Sequence, residues 1–111
     1  MIEINDIKNP QDLDEMIRKN NNLVVKFSAD WCGPCKVLGT TLKNLEPDEV
    51  GDVLFGEVDV DNDEFADVFT LLSIRNLPTL VYFYNGELVD RIVGLSQKNE
   101  IIEFINKNRN K

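Results

Sequence analysis

The chain has 111 residues, of which 42% are hydrophobic and 29% are charged, with a net charge of −8 and an isoelectric point near 4.4. This length and composition predict one globular domain, residues 1–111, and exclude a disordered chain. Because 20 acidic residues face 12 basic ones, the surface field repels nucleic acid and anionic membranes, and we expect neither as a partner. We attribute the charge to solubility rather than to the selection of a partner.

The first residues contain no secretory signal, because residues 1–6 lack a basic segment followed by an apolar one. No apolar run approaches the roughly 18 residues of a membrane span. We therefore expect a cytoplasmic protein, in a compartment where cysteine pairs cycle between dithiol and disulfide. A mature chain whose leader had been removed would show the same pattern.

The first quarter of the chain predicts a strand, a helix and a second strand. Residues 2–4 alternate as a short strand, and Asn9 followed by Pro10 is typical of a helix start. The apolar stripe of this helix consists of Leu13, Met16 and Ile17. Residues 23–27 then form a nearly continuous apolar run, as in a parallel strand covered on both faces, interrupted only by Lys26.

Both cysteines of the protein, Cys32 and Cys35, follow that strand and precede a helical pattern. A Cys-x-x-Cys pair at such a junction is typical of a redox-active dithiol. A closed zinc site needs four ligands, and the chain has no histidine and no third cysteine, so zinc would require a site shared between molecules. A purely structural disulfide would close too small a ring to stabilise the fold much. The reactive dithiol is therefore the favoured interpretation.

The middle of the chain predicts helix, strand and helix. The helix after the cysteines ends at residues 46–47, Glu-Pro, and residues 53–60 form the next strand. Residues 61–63, Asp-Asn-Asp, predict a cap for the following helix. The acids around them resemble a calcium loop only weakly, because the glycine and the terminal glutamate of that pattern are missing. Capping and a solvated surface are the favoured interpretation.

The last third predicts a hairpin and a final helix. A loop at residues 73–77 leads into Pro78, and residues 79–84 and 87–93 form strands around Asn85-Gly86, the strongest short hairpin signal. A helix begins near residue 96. Its basic residues suit the negative C-terminal end of a helix; they are Lys107, Arg109 and Lys111. The element order β-α-β-α-β-α-β-β-α predicts an α/β protein with a mixed sheet and helices on both faces.

Several short segments, in this order and spacing, resemble thioredoxins over essentially the whole chain. They are Phe27-Ser28-Ala29, Trp31-Cys32-Gly33-Pro34-Cys35-Lys36, Leu77-Pro78-Thr79, Asn85-Gly86 and Val93-Gly94. The resemblance implies a thioredoxin fold, with a five-stranded mixed sheet of order 1-3-2-4-5 and four helices on its two faces. It also implies that the cysteine motif lies at the carboxyl end of the central strand.

Cys32 is expected to be the nucleophile, because it lies where a helix begins and unpaired N–H groups stabilise a thiolate. Cys35, one turn further on, is expected to resolve the mixed disulfide. Gly33 is expected to let the turn form, and Pro34 suits the first turn of a helix because it has no N–H to lose.

The resemblance also implies a substrate-binding surface around Cys32. By itself, an aromatic residue such as Trp31 beside a loop could equally cover the core. In the family, Trp31 flanks the active surface, and the proline matching Pro78 is cis and packs against the two sulfurs. Residues 75–77 would present backbone groups to an extended substrate. The apolar patch would consist of Gly33, Pro34, Leu77, Pro78 and Gly94.

Lys26 departs from the family pattern, in which a buried aspartate lies beneath the second cysteine and a lysine matches the position of Glu57. The two charges are exchanged here. One interpretation is a compensated pair, since a paired buried ion costs less than a lone one. The other is that an ammonium near the sulfurs favours the thiolate, so that Lys26→Ala would raise the Cys32 pKa. A kinking proline of the family's second helix is also absent, and Gly39 is expected to supply flexibility there.

The expected function is general protein-disulfide reduction by thiol–disulfide exchange, with a separate thioredoxin reductase and disulfide-containing proteins as partners. The chain contains no cofactor-binding pattern, and no metal or cofactor is expected. We expect a monomer. One alternative is a specialised electron donor to a dedicated partner, which the Lys26/Glu57 exchange permits. Another is an interaction module without redox chemistry, against which the retention of both cysteines argues.

Overall fold

The computed structural model describes residues 1–109, and the predicted basic residue Lys111 lies outside that range. The strands are β1 (Ile4–Asp6), β2 (Asn22–Ser28), β3 (Leu54–Asp59), β4 (Thr79–Tyr84) and β5 (Glu87–Val93). The helices are α1 (Pro10–Lys19), α2 (Gly33–Lys43), α3 (Pro47–Val50), α4 (Ala66–Leu71) and α5 (Lys98–Arg109), with a 3₁₀ turn at Asp63–Phe65 before α4.

The five strands form one mixed sheet in the order β1-β3-β2-β4-β5, which confirms the predicted topology. β3 is parallel to β1 and β2, whereas β4 is antiparallel to β2 and β5. The crossover helices α1 and α2 therefore connect parallel strands, as the alternating sequence pattern required. β2 lies at the centre of the sheet, and the chain leaves its carboxyl end toward the cysteines.

Two apolar clusters lie on opposite faces of the sheet. Alternate residues of β2 point to opposite faces, so that Val24 packs with Leu38 and Leu42 of α2, whereas Val25 packs with Leu13 of α1. Lys26 follows the parity of Val24 and therefore points toward α2. The continuous apolar run of β2 is thus explained by burial on both faces, because all six residues from Leu23 to Ser28 are buried.

Several predicted element boundaries differ from those of the structure. The first strand covers Ile4–Asp6 rather than residues 2–4, because the N–H of Ile2 donates to the carbonyl of Lys43 (3.2 Å) and pairing with β3 begins only at Ile4. Within residues 1–109, five α-helices are present instead of the four predicted. Pro47, predicted only to end the second helix, opens the one-turn helix α3, where Glu49 Oε1 accepts a hydrogen bond from the N–H of Glu46 (2.9 Å).

The hairpin and the predicted cap are as expected. Asn85 and Gly86 join β4 to β5 with positive φ angles of 51° and 87°, the conformation that favours glycine and asparagine. Asn62 Oδ1 accepts a hydrogen bond from the N–H of Glu64 (3.0 Å) and so begins the 3₁₀ turn before α4. None of the helices within residues 1–109 has the length and apolar character needed to cross a bilayer.

Candidate active site

The two cysteines lie at the N-terminus of α2, directly beyond the carboxyl end of the central strand. Cys32 is the N-cap residue of α2, and Cys35 lies in its first turn. The two sulfurs form a disulfide, so the structure shows the oxidised form. The N–H of Cys35 points at Cys32 Sγ (3.2 Å), which places a backbone donor beside the sulfur that would carry negative charge after reduction.

The sulfur-bearing residues differ in their access to solvent. Cys32 is 6% exposed and Cys35 only 1%, and both pack with Ala29 against the partly buried side chains of Val60 and Leu77. The site is therefore a small apolar surface at which the reactive atom of Cys32 is the more accessible one. Neither sulfur is available as a metal ligand in this form.

Gly33 and Pro34 lie exposed on the first turn of α2. Pro34 occupies a first-turn position, as predicted. Gly33 is not among the glycines with positive φ, and a Cβ at this position would meet nothing within 4 Å. The expectation that Gly33 lets the turn form is therefore wrong, since another residue could adopt the same backbone. What glycine provides here is an open approach to Cys32.

The Leu77-Pro78 segment faces the cysteines from the neighbouring strand. The Leu77–Pro78 peptide bond is cis, as the resemblance implied. Pro78 itself is buried, whereas Leu77 and Gly94 are partly exposed. The N–H of Gly94 donates to the carbonyl of Pro78 (2.8 Å), and the φ of +90° at Gly94 explains why glycine stands there. Leu77, Pro78 and Gly94 are therefore tied together at one edge of the site.

Trp31 is 70% exposed, so it does not cover the core. Its indole Nε1 donates a hydrogen bond to Asp61 Oδ2 (2.8 Å), while the N–H of Asp61 donates to Asp59 Oδ1 (2.9 Å). The sequence pattern indicates only two roles for Asp61, a helix cap or, more weakly, a calcium ligand. The available signal was its place just beyond β3, since the carboxyl ends of neighbouring parallel strands meet at one edge of the sheet.

An ion pair between the buried Lys26 and the partly exposed Glu57 contacts the backbone of Cys35. Lys26 and Glu57 are register partners on β2 and β3, and Lys26 Nζ lies 3.2 Å from Glu57 Oε1. The hydroxyl of Ser28 also donates to Glu57 Oε1 (2.9 Å), and Lys26 Nζ donates to the backbone carbonyl of Cys35 (3.4 Å). The ammonium of Lys26 therefore contacts the active-site helix directly.

Gly39 faces this ion pair from α2. A Cβ on Gly39 would lie 2.8 Å from Lys26 Nζ, too close for an undisturbed contact. The sequence suggested flexibility for Gly39, but the structure gives it a steric reason, because it makes room for the ammonium. The sequence analysis missed the roles of Ser28 and Gly39. Strand parity places Ser28 on the same face as Lys26, but its contact with Glu57 depends on the register of β2 on β3. Nothing local marks Gly39 as a neighbour of Lys26.

The comparisons with known proteins agree with this geometry. The family model described as Thioredoxin matches residues 5–107. A thioredoxin of Mycoplasmoides gallisepticum is 36% identical over 99 residues, covering 89% of this chain and 96% of that protein. A thioredoxin of Chlamydia caviae is 42% identical over 86 residues, covering 77% and 80%.

The solved structures give the same result. The N21Q mutant thioredoxin from Halobacterium salinarum superposes with a TM-score of 0.83 at 31% identity, covering 95% of this chain and 89% of that one. The family model spans nearly the whole described chain, and the matched relatives carry the same fold. The chain therefore belongs to the thioredoxin family.

Proposed function

We propose that the protein is a general protein-disulfide reductant that works by thiol–disulfide exchange at Cys32 and Cys35. The observation that carries this proposal is the pair itself, closed as a disulfide at the N-terminus of α2 in a chain of the thioredoxin family. Cys32 is proposed as the nucleophile, because it is the more exposed cysteine and lies at the positive end of a helix.

The reaction runs in two exchanges. The Cys32 thiolate attacks one sulfur of the substrate disulfide, which breaks the substrate S–S bond and releases its other sulfur as a thiolate. The Cys35 thiol then loses its proton to solvent and attacks Cys32 Sγ, which releases the second substrate thiolate. Two electrons have passed to the substrate, and the protein is left with the Cys32–Cys35 disulfide that the structure shows.

Substrates are proposed to bind across the surface around Cys32, which consists of Trp31, Gly33, Pro34, Leu77, Pro78 and Gly94. The exposed indole of Trp31 and the open approach at Gly33 support this assignment. Because Pro78 is buried, its part is to shape the edge on which Leu77 lies. Lys26 and Glu57 are proposed to influence the two sulfurs through the backbone of Cys35.

Membership of the thioredoxin family supports a proposal for the wider setting of the protein. We propose that it acts as a monomeric single domain in the cytoplasm, takes part in electron transport and redox homeostasis, and is recharged by a thioredoxin reductase. Disulfide-containing proteins would be its substrates, and the chain itself would need no cofactor. A dedicated partner is the second candidate, and the observation that favours it is the exchanged Lys26–Glu57 pair.

The test is a trapping experiment on a protein disulfide. Cys35→Ser removes the resolving thiol, so the Cys32-linked mixed disulfide should accumulate and be detected as a covalent adduct by mass spectrometry. Cys32→Ser should form no adduct and should lose at least about a thousandfold in the rate of disulfide reduction. Full function of the Cys32→Ser/Cys35→Ser double variant would contradict the proposal and indicate an interaction module instead.

A further inference from the structure

The ammonium of Lys26 is held against the active-site helix rather than merely buried. Its side chain is 6% exposed, and Nζ contacts Glu57 Oε1 at 3.2 Å and the Cys35 carbonyl at 3.4 Å. This carbonyl lies in the first turn of α2 and belongs to the residue that carries the second sulfur. A positive charge on a buried side chain therefore contacts the backbone of Cys35.

Gly39 makes this approach possible. Glycine in the interior of a helix is destabilising relative to alanine, so its presence in α2 calls for a compensating reason. The structure supplies one, because a Cβ on Gly39 would lie 2.8 Å from Lys26 Nζ. The side chain of Lys26 is flexible, so an added methyl group would move the ammonium away from α2 without disturbing the helix.

Glu57 neutralises the ammonium only in part at the position of the sulfurs. Its side chain is 40% exposed, whereas that of Lys26 is 6% exposed. Water screens the carboxylate strongly, while the ammonium acts through protein of lower effective dielectric. Ser28 of β2 donates to the same oxygen, Glu57 Oε1, that faces Lys26, so the carboxylate shares its charge between two donors. The field at Cys35 is therefore dominated by the positive partner.

We propose that Lys26 shifts the Cys32/Cys35 equilibrium toward the reduced form, with Gly39 leaving space for the ammonium and Glu57 supplying the opposite charge. This inference rests on the proposed function. Reduction of the disulfide takes up two electrons and one proton, and it leaves a thiol on Cys35 and a thiolate on Cys32. The disulfide carries no charge, so a nearby ammonium stabilises the reduced form selectively. Lys26 is a positioning residue, because it contacts the backbone of Cys35 rather than the reacting sulfurs.

The experiment measures the equilibrium constant between the protein and a glutathione redox series. In Lys26→Met we expect the equilibrium constant for reduction of the Cys32–Cys35 disulfide by glutathione to fall about tenfold. This change corresponds to a reduction potential about 30 mV more negative. Gly39→Ala should lower the same equilibrium constant by about threefold, because the ammonium is displaced from α2 but not removed. Glu57→Gln should change it in the opposite direction, since the counter-charge is lost.

The control is Thr40→Ala, which replaces an exposed residue of α2 and improves the helix propensity in the same way as Gly39→Ala. It should leave the equilibrium constant within twofold of the natural protein. If Lys26 and Gly39 had a purely structural role, the substitutions would alter the free energies of unfolding, and all four variants would keep the equilibrium constant of the natural protein. That result would overturn the inference. A change of the same sign in Glu57→Gln and Lys26→Met would also overturn it.

The outcomes separate this inference from the proposed function. A natural protein that fails to exchange with glutathione contradicts the function and the inference together. A natural protein that exchanges, with variants that all share its equilibrium constant, contradicts the inference alone. If Lys26→Met does not fold, the opposite signs expected for Gly39→Ala and Glu57→Gln decide the question, because Gly39→Ala is a favourable substitution for the helix.

Discussion

Trp31 and Asp61 form a contact between two loops that border Cys32. The indole is largely exposed, yet its Nε1 is fixed by Asp61 at 2.8 Å. An exposed hydrogen bond of this kind contributes little to folding, on the order of 1 kcal/mol or less. We propose that its effect is instead to hold the exposed indole in one orientation beside Cys32, on the surface proposed to bind substrates.

Asp61→Ala should release the indole. Because Trp31 is the only tryptophan in the chain, its fluorescence anisotropy decay reports the gain in motion directly. We expect a rise of a few fold in KM for a protein disulfide, with little change in the melting temperature. Asp63→Ala, which removes the same charge from the same segment, is the control. Equal changes in KM for both variants would attribute the effect to charge rather than to the orientation of Trp31.

At the scale of elements, Asp90 of β5 connects the edge strand to α5. Asn108 Nδ2 donates to Asp90 Oδ2 (2.9 Å), Lys107 Nζ lies 3.3 Å from the same oxygen, and the N–H of Arg91 donates to Asp90 Oδ1 (2.8 Å). Burial alone would raise the pKa of the Asp90 carboxyl, but the bonds from Asn108, Arg91 and Lys107 together hold that pKa below its usual value. The sequence linked Lys107 only to the helix dipole, and the structure adds this ion pair.

Asp90→Asn should weaken the dependence of stability on acid pH. A carboxyl whose pKa is lower in the folded than in the unfolded state stabilises the fold above the unfolded pKa, about 3.9, and loses that contribution as the pH falls through the folded pKa. The free energies of unfolding of the natural protein and Asp90→Asn should therefore differ most near pH 7 and converge as the pH falls through the folded pKa of Asp90. Urea titrations across this range measure the difference. A constant gap between the two curves would contradict the assignment.

At the scale of the whole molecule, one sheet separates two apolar clusters. Leu42 of α2 belongs to the cluster on one face, and Leu23 of β2 belongs to the cluster on the other. Both clusters use alternate residues of the same strands, so neither face can keep its packing if the sheet is lost. This arrangement supports our proposal that the chain is a single cooperative domain.

Leu42→Ala and Leu23→Ala should each lower the free energy of unfolding by about 2–5 kcal/mol, the range for fully buried leucines. In both variants, urea curves from far-ultraviolet circular dichroism and from Trp31 fluorescence should stay coincident. The natural protein is the reference for both probes. Separate midpoints, with one cluster lost before the other, would show two folding units instead of one domain.

The sequence by itself determined the features that depend on local pattern. Periodicity and the Asn85-Gly86 turn identified the elements, and the alternation of strands and helices required parallel crossovers with helices on both faces. The spacing of Cys32 and Cys35 before a helix indicated the dithiol, because only that position supplies unpaired N–H groups to a thiolate. The strand order and the cis bond before Pro78 came from the resemblance to thioredoxins, and the structure agrees with both.

Only the tertiary structure decided which side chains meet across elements. Ser28, Gly39 and Asp61 became site residues because the register of β2 on β3 and the path of α2 bring them to the Lys26–Glu57 pair and to Trp31. Residues that are 13 to 30 positions apart carry no local signal of such proximity. The balance of charge beneath the disulfide was equally hidden, since it depends on how far each partner is exposed to water, and exposure is a property of the packed molecule.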